Sequence, residues 1–185
     1  MALRSTVHKL ELSVADIDRG VYADHALTLA LHPSETEERL MLRVLAFALF
    51  ADARMRFGRG LSAEDEPDLA RVDDTGAIEL WVEVGLPDEK WVRKACGRAS
   101  RVVVLAYGGA RASIWWRQNE AALARSANLS VVAVDPEASA ALARLAARTM
   151  RLSATVQDGQ AWISDGAGSV AVTPAWWRGE RADGF

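Results

Sequence analysis

The sequence predicts an α/β fold in which a mixed sheet is flanked by helices. Three observations lead there. Alternating apolar and polar residues open the 185-residue chain and are followed by one long stretch of helical apolar spacing. Its middle then alternates β-rich runs with helical ones, and its last quarter returns to alternation broken by Asp-Gly pairs. Strand-helix-strand alternation favours parallel pairing, and Asp-Gly turns make hairpins, so both kinds of pairing are expected.

Residues 6–14 and 21–31 alternate around a polar link holding Asp16, Asp18, Arg19 and Gly20, which reads as a β-hairpin. His32-Pro33-Ser34 then leads into residues 35–57, where Leu40, Val44, Leu45, Ala48 and Leu49 recur at helical spacing and Ser34 with Glu37 fits a capping box. Residues 58–68, with two glycines and a proline among acids, read as a loop. Strands are expected over 68–73 and 78–84, joined by a turn at Asp74-Thr75-Gly76. A helix should start at Pro87, because proline suits the first helical position and Asp88 and Glu89 suit the positive end of the dipole. Strand 101–107, helix 111–125, strand 129–134 and helix 137–148 complete the layered part. Strands over 152–157, 160–164 and 169–172 are separated by Asp158-Gly159 and Asp165-Gly166.

Half of the residues are hydrophobic, enough for one substantial core, so residues 1–185 are expected to form one domain. No run approaches the roughly 20 apolar residues that cross a bilayer, and residues 1–11 lack the apolar core of a signal peptide; a cytoplasmic protein without a membrane partner is expected. The lone cysteine, Cys96, excludes an internal disulfide framework. A net charge of −3 argues against a protein that coats nucleic acid, since phosphate contacts need a concentrated positive field. Of the 22 basic residues only Lys9, Lys90 and Lys94 are lysine.

The chemistry-bearing residues fall around the two central strands. In the second of them Glu79, Trp81 and Glu83 share one face and Leu80, Val82 and Val84 the other, so Glu83 need not compete with the apolar row for the core. Asp68, entering the first strand after Glu66-Pro67, is the second candidate. Hydrolysing a phosphodiester requires neutralised charge at phosphorus and an activated water, and a divalent cation on carboxylate oxygens supplies both. The alternative for each acid is a solvated or arginine-paired carboxylate. Lys90 and Lys94 lie a helical turn apart just after Glu83, and a lysine ammonium can approach a phosphate compactly, whereas arginine needs room for its planar fork. Of the acids in the first helix Glu38 lies nearer the apolar side than Glu35. Trp115-Trp116 with Gln118 and Asn119 read more readily as core than as a cleft wall. His8, His25 and His32 are too dispersed for metal-ligand spacing, and Cys96 has no histidine near it in sequence.

Glu66-Pro67-Asp68 and Glu79-Leu80-Trp81-Val82-Glu83 resemble the acidic motif of the PD-(D/E)XK nucleases, with Gly85 standing where the motif lysine would be. More specifically, several blocks resemble the YaeQ family over essentially the whole chain. They are His32-Pro33-Ser34-Glu35-Thr36, Glu38-Arg39, Arg59-Gly60-Leu61, Asp65-Glu66-Pro67, the run from Leu80 to Glu89, Lys94-Ala95-Cys96, Ile114-Trp115-Trp116, Gln118-Asn119 and Asn128-Leu129-Ser130-Val131. The resemblance implies a bacterial protein with a restriction-endonuclease-like αβββαβ core, carrying an N-terminal hairpin and C-terminal strands. It implies metal ligands at Asp68 and Glu83, magnesium or manganese as the ion, Lys94 as a catalytic lysine relocated to the helix, Glu38 as an assisting acid, and nucleic acid as the partner. Three functions stay open: metal-dependent phosphodiester cleavage, a non-catalytic binding protein on the same fold with a link to transcription, and hydrolysis of a smaller phosphate ester. The nuclease reading further expects the Lys94 ammonium in the cleft with Glu83, and Arg39, Arg59, Arg93 and Arg117 around its mouth.

Overall fold

A computed structural model describes residues 4–59 and 65–181. It is a mixed α/β structure of two mixed sheets and, among the described residues, four helices. The first sheet has the order β10-β9-β8-β1-β2, from β1 (Thr6–Asp16), β2 (Val21–Leu31), β8 (Thr149–Gln157), β9 (Gln160–Ser164) and β10 (Ser169–Val172). The second has the order β11-β7-β6-β5-β4-β3, from β3 (Met55–Phe57), β4 (Leu69–Val72), β5 (Ile78–Val84), β6 (Ala99–Ala106), β7 (Leu129–Ala133) and β11 (Ala175–Arg178). The helices are α1 (Glu37–Leu49), α2 (Glu89–Cys96), α3 (Ala110–Leu123) and α4 (Pro136–Ala143).

Where one mixed sheet is expected there are two, because the N-terminal hairpin and the C-terminal strands build a sheet of their own. β1 and β8 run parallel from Lys9 opposite Thr149 to Asp16 opposite Val156, and this pairing joins the chain's two ends. The Asp158-Gly159 turn between β8 and β9 has φ of 52° and 74°, the pair of positive values a type I′ hairpin needs. Its two amides donate to the Asp18 carboxylate at 2.7 and 3.0 Å, which ties the C-terminal hairpin to the N-terminal one.

In the second sheet β5, β6 and β7 are parallel, with α2 and α3 as crossovers, whereas β3, β4 and β11 pair antiparallel. The carboxyl ends of the parallel strands share one edge, where open α/β sheets place their ligands.

Helix α1 runs through the centre. Leu40 to Leu49 are all buried, Arg43 included, and the same apolar cluster takes in Leu10, Leu12 and Leu152 of the first sheet and Leu69, Leu80 and Val82 of the second. The helix is shorter than the expected 35–57. Thr36, not Ser34, is its N-cap, accepting from the Arg39 amide, and it stops before Asp52, whose carboxylate accepts the Arg54 amide at 2.7 Å. That local bond gives the backbone an alternative to the helix, and Met55 to Phe57 become strand β3 against Leu69 to Arg71. Residues 60–64 of the expected loop lie outside the described residues. Helix α4 ends at Ala143, short of 148, and β11 went unforeseen.

Candidate functional site

Asp68 and Glu83 are brought together at the carboxyl end of β5. Asp68 immediately precedes β4 and is 4% exposed. Its own amide donates to the Val82 carbonyl at 3.0 Å, and its carboxylate accepts the Val84 amide at 2.7 Å, so both ends of the residue are fastened to β5. Arg39 donates through Nη2 to both Asp68 oxygens at 2.6 and 2.7 Å and through Nη1 to Glu35 at 2.7 Å. Arg43, fully buried, reaches the same Glu35 carboxylate at 3.1 Å and the Ala30 carbonyl at 3.0 Å. The result is a chain of alternating charges, Arg43, Glu35, Arg39 and Asp68, that enters the site from α1. Burial works against the Arg39 charge, but Asp68 and then Glu35 outweigh it and raise its pKa.

Glu83 is 8% exposed. The alternation along β5 separates the faces as the sequence requires: Leu80, Val82 and Val84 enter the core around α1, and Trp81 enters a second cluster with Val92, Trp115 and Trp116. Two indoles, Trp81 on the same strand and Trp91 on α2, donate to Glu83 Oε1 at 2.7 and 2.8 Å. Burial first, and then the negative charge of Asp68, push the Glu83 carboxyl up to about 7, against the opposing pull of the two indoles and Arg39. The acid is therefore poised to take up or release a proton near neutrality.

Glu83 borders a cavity of about 490 Å³ lined by Glu38, Arg39, residues 83–87, Tyr107, Gly108 and Arg111. Its walls are the first turns of α1 and α3 and the ends of β5 and β6. Glu38 is held there by the Ser139 hydroxyl of α4, which donates at 2.6 Å. Gly85 has φ of 127°, which side chains rarely adopt, and a Cβ built on it would come only within 4.0 Å of the Tyr107 ring. The space a motif lysine would cross is therefore open, but the backbone is set for glycine. Burial raises the Tyr107 phenol above its ordinary pKa.

Lys94 is placed otherwise than expected. Its ammonium pairs with Asp65 at 2.6 Å, and its side chain is half exposed. It passes 5.3 Å from the Trp91 ring centroid but is not among the residues that line the cavity. The exposed Asp65 carboxylate draws it outward. The arginine rim is also largely internally paired: Arg59 with Glu66 at 2.5 Å and Arg93 with Glu89 at 2.6 Å. Glu35 is structural, while Trp115 and Trp116 are core and Asn119 donates to the Trp115 carbonyl.

Sequence reasoning missed Tyr107, Arg111, Trp91 and Ser139, together with the hold of Arg39 on Asp68. Gly108-Gly109 ahead of a helix was the one available signal for the α3 wall. Among the described residues no group of three or more histidines, cysteines, aspartates or glutamates could hold a metal. An ion here would rest on two carboxylates, of which Asp68 already carries a guanidinium on both oxygens.

The fold and site define a mixed α/β protein with a cavity lined by two acids and two arginines at the end of its parallel strands. The chain belongs to the YaeQ family: the family model described as "YaeQ protein" matches residues 1–174. Uncharacterized YaeQ proteins of Salmonella typhi and Escherichia coli K12 are 49% and 47% identical over 178 residues, covering 96% of this chain and 98% of theirs. The crystal structure of the YaeQ protein from Xanthomonas axonopodis pv. citri, 50% identical, superposes with a TM-score of 0.91 over 95% of this chain and 99% of its own. That of the Pseudomonas syringae YaeQ protein, 36% identical, does so at 0.92 over 96% and 98%. No helix is long and apolar enough to cross a membrane among the described residues.

Proposed function

We propose that the cavity is the active site of a divalent-metal-assisted phosphodiester hydrolase acting on nucleic acid, built on the PD-(D/E)XK plan without its lysine. The observation that carries this reading is the convergence of two buried carboxylates, Asp68 and Glu83, beside a cavity at the carboxyl end of parallel strands. The element order α1-β3-β4-β5-α2-β6 supports the fold placement.

The residues fit a magnesium-type ion, which needs only one or two carboxylates and completes its shell with water and phosphate oxygens. Glu83 would hold it through Oε2, because both indole bonds fall on Oε1. Asp68 would join once Arg39 moves toward Glu35, which it already touches. The ion would supply charge neutralisation at phosphorus and an acidified water. The chain's own residues do the rest: the indoles fix the Glu83 rotamer, the Val84 amide fixes Asp68, and Ser139 holds Glu38 at the cavity wall. Ion binding would displace a proton from Glu83, so affinity should climb from pH 6 to pH 8.

A second reading, a non-catalytic binding protein, is favoured by one specific feature: the Arg39 fork already neutralises Asp68. Thermal unfolding with magnesium or manganese separates the two. The hydrolase should melt higher with metal, Glu83→Gln should gain less, and single- or double-stranded DNA or RNA should be cut by the wild type alone. An equal shift in both proteins removes Glu83 as a ligand. A normal shift without cleavage selects the binding protein.

A further inference from the structure

One long strand edge is open. Of the four edge strands among the described residues, β3, β10 and β11 have three or four residues, whereas β2 has eleven. The Lys9 amide donates to the Arg148 carbonyl and the Ile17 amide to the Val156 carbonyl, so the odd-numbered residues of β1 turn their backbone groups toward β8 and the even-numbered ones toward β2. Leu10 stands opposite Leu27 and Leu12 opposite His25, so the even-numbered residues of β2 turn theirs away from the sheet. The Ala30 carbonyl shows it, since Arg43 reaches it from outside the sheet at 3.0 Å. On that side nothing among the described residues bonds the backbone of Tyr22, Asp24, Ala26 or Thr28. Open edges are ordinarily blunted by shortness, proline, lysine or a bulge. Residues 21–31 contain no proline, lysine or arginine, and the register of β1 with β2 runs without a bulge. A cavity of about 580 Å³ lined by β2, Phe47 and β3 leaves space beside this edge.

We infer that β2 pairs antiparallel with β2 of a second copy of this chain, about a two-fold axis at Ala26, so that two first sheets become one. The outer face sets the register. Residues that exchange backbone bonds across such a pair are even-numbered on both strands, and an axis at Asp24 would set two carboxylates face to face. With the axis at Ala26, alanine meets alanine. Asp24 then stands opposite Thr28 of the second copy, with Lys9 of that copy one strand further on, because Lys9 pairs with Thr28. Lys9 is exposed and has no ion pair among the described residues, and Asp24 is exposed and accepts only the Ser13 hydroxyl. Tyr22 stands opposite Ala30 of the second copy, with Val7 of that copy beyond it. Tyr22 and Val7 are 67% and 54% exposed, and this pairing sets each against the other. Charge and apolar surface thus agree on one register. A two-fold pair uses the same edge on both sides, so assembly stops at two copies. No residue of β1 or β2 lines the Glu83 cavity, and the inference is independent of the hydrolase reading.

The test is sedimentation equilibrium of the full chain over a concentration series. One strand edge buries less than a standard interface, so association should be reversible, with a Kd of roughly 1–100 μM and a mean mass that rises toward twice that of one chain. Ala26→Pro removes the amide at the axis, which no bond within the sheet uses, and should weaken association at least about tenfold. Asp24→Lys sets like charges against Lys9 of the second copy and should weaken it by about three- to tenfold, as should Lys9→Glu. Within one chain Lys9 lies opposite Thr28, four residues from Asp24, so the two charges meet only between copies. The chain carrying both reversals should therefore regain the affinity of the wild type. Both side chains are exposed, so the charge variants should melt close to the wild type, and they carry the test by themselves if Ala26→Pro does not fold. A chain that stays monomeric up to about 1 mM would overturn the inference. So would a dimer that a folded Ala26→Pro leaves unchanged, or a double reversal that binds no tighter than Asp24→Lys alone.

Discussion

Glu83 and Arg39 hold opposite views of the same buried charge. In the folded chain Glu83 titrates at about 7, against 4.5 as its ordinary value, because burial and Asp68 oppose its ionisation. Between these two pH values the folded state keeps a proton that the unfolded chain has released, so stability falls as pH rises through this window and levels off above it. One proton limits the slope to about 1.4 kcal/mol per pH unit. Glu83→Gln keeps the oxygen that accepts both indoles and removes the titration. Urea unfolding from pH 5 to pH 8 should therefore show the variant gaining on the wild type as pH rises, and a constant difference would mean that Glu83 titrates normally. Arg39→Gln works in the other direction. It leaves Asp68 and Glu35 facing each other without their shared cation, and breaking such a buried pair costs roughly 3 kcal/mol or more. A loss below about 1 kcal/mol in the same assay would show that the fork on Asp68 contributes little.

At the scale of elements, the hairpin of β3 and β4 sets where Asp68 stands. The Gly58 amide donates to the Asp68 carbonyl at 2.9 Å, and a Cβ at residue 58 would fall 2.0 Å from the Pro67 carbonyl oxygen. Gly58→Ala should therefore cost more than about 2 kcal/mol, because a backbone oxygen cannot give way as a side chain does. It should also blunt the metal-induced melting shift, since Asp68 moves with Pro67. Full stability would contradict the close approach. This hairpin is also where the sequence was least legible. Apolar spacing continues past Leu49 into Phe50 and Phe57, and nothing in the periodicity marks the point at which Asp52 turns the chain and long-range pairing with β4 takes over. β6 was legible because burial on both faces demands a continuous apolar, β-branched run, and β5 through its alternation, whereas α2, expected from Pro87, starts at Glu89 with Asp88 as its N-cap rather than in its first turn. Glu83 was legible through strand alternation, and Asp68 through its place after Glu66-Pro67 at the entry to the first central strand. Arg111 and Ser139 were not, because each meets the site only through pairing and packing between distant parts of the chain.

At the scale of the whole molecule, the split into two sheets was hidden for the same reason: the β1 and β8 pairing joins residues more than a hundred positions apart, and the sequence carries no local mark of it. What unites the sheets is α1, apolar on nearly all sides. Phe47 is its clearest joint. Its ring meets His25 of β2 edge-on at 4.9 Å and stacks on Phe57 of β3 at 5.5 Å, so one side chain touches an edge strand of each sheet. One apolar cluster spans both sheets through this helix, and it should make unfolding a single cooperative event. Phe47→Ala removes the joint and should cost about 3–5 kcal/mol, the range for emptying a buried phenylalanine site. The loss should not be confined to one side. Native-state hydrogen exchange should lower protection of the most stable amides in β1 and β8 and of those in β5 and β6 by the same amount, because each opens only when the shared core does. If the first sheet lost protection while β5 and β6 kept theirs, the sheets would be separate cooperative units and α1 would belong to the second alone.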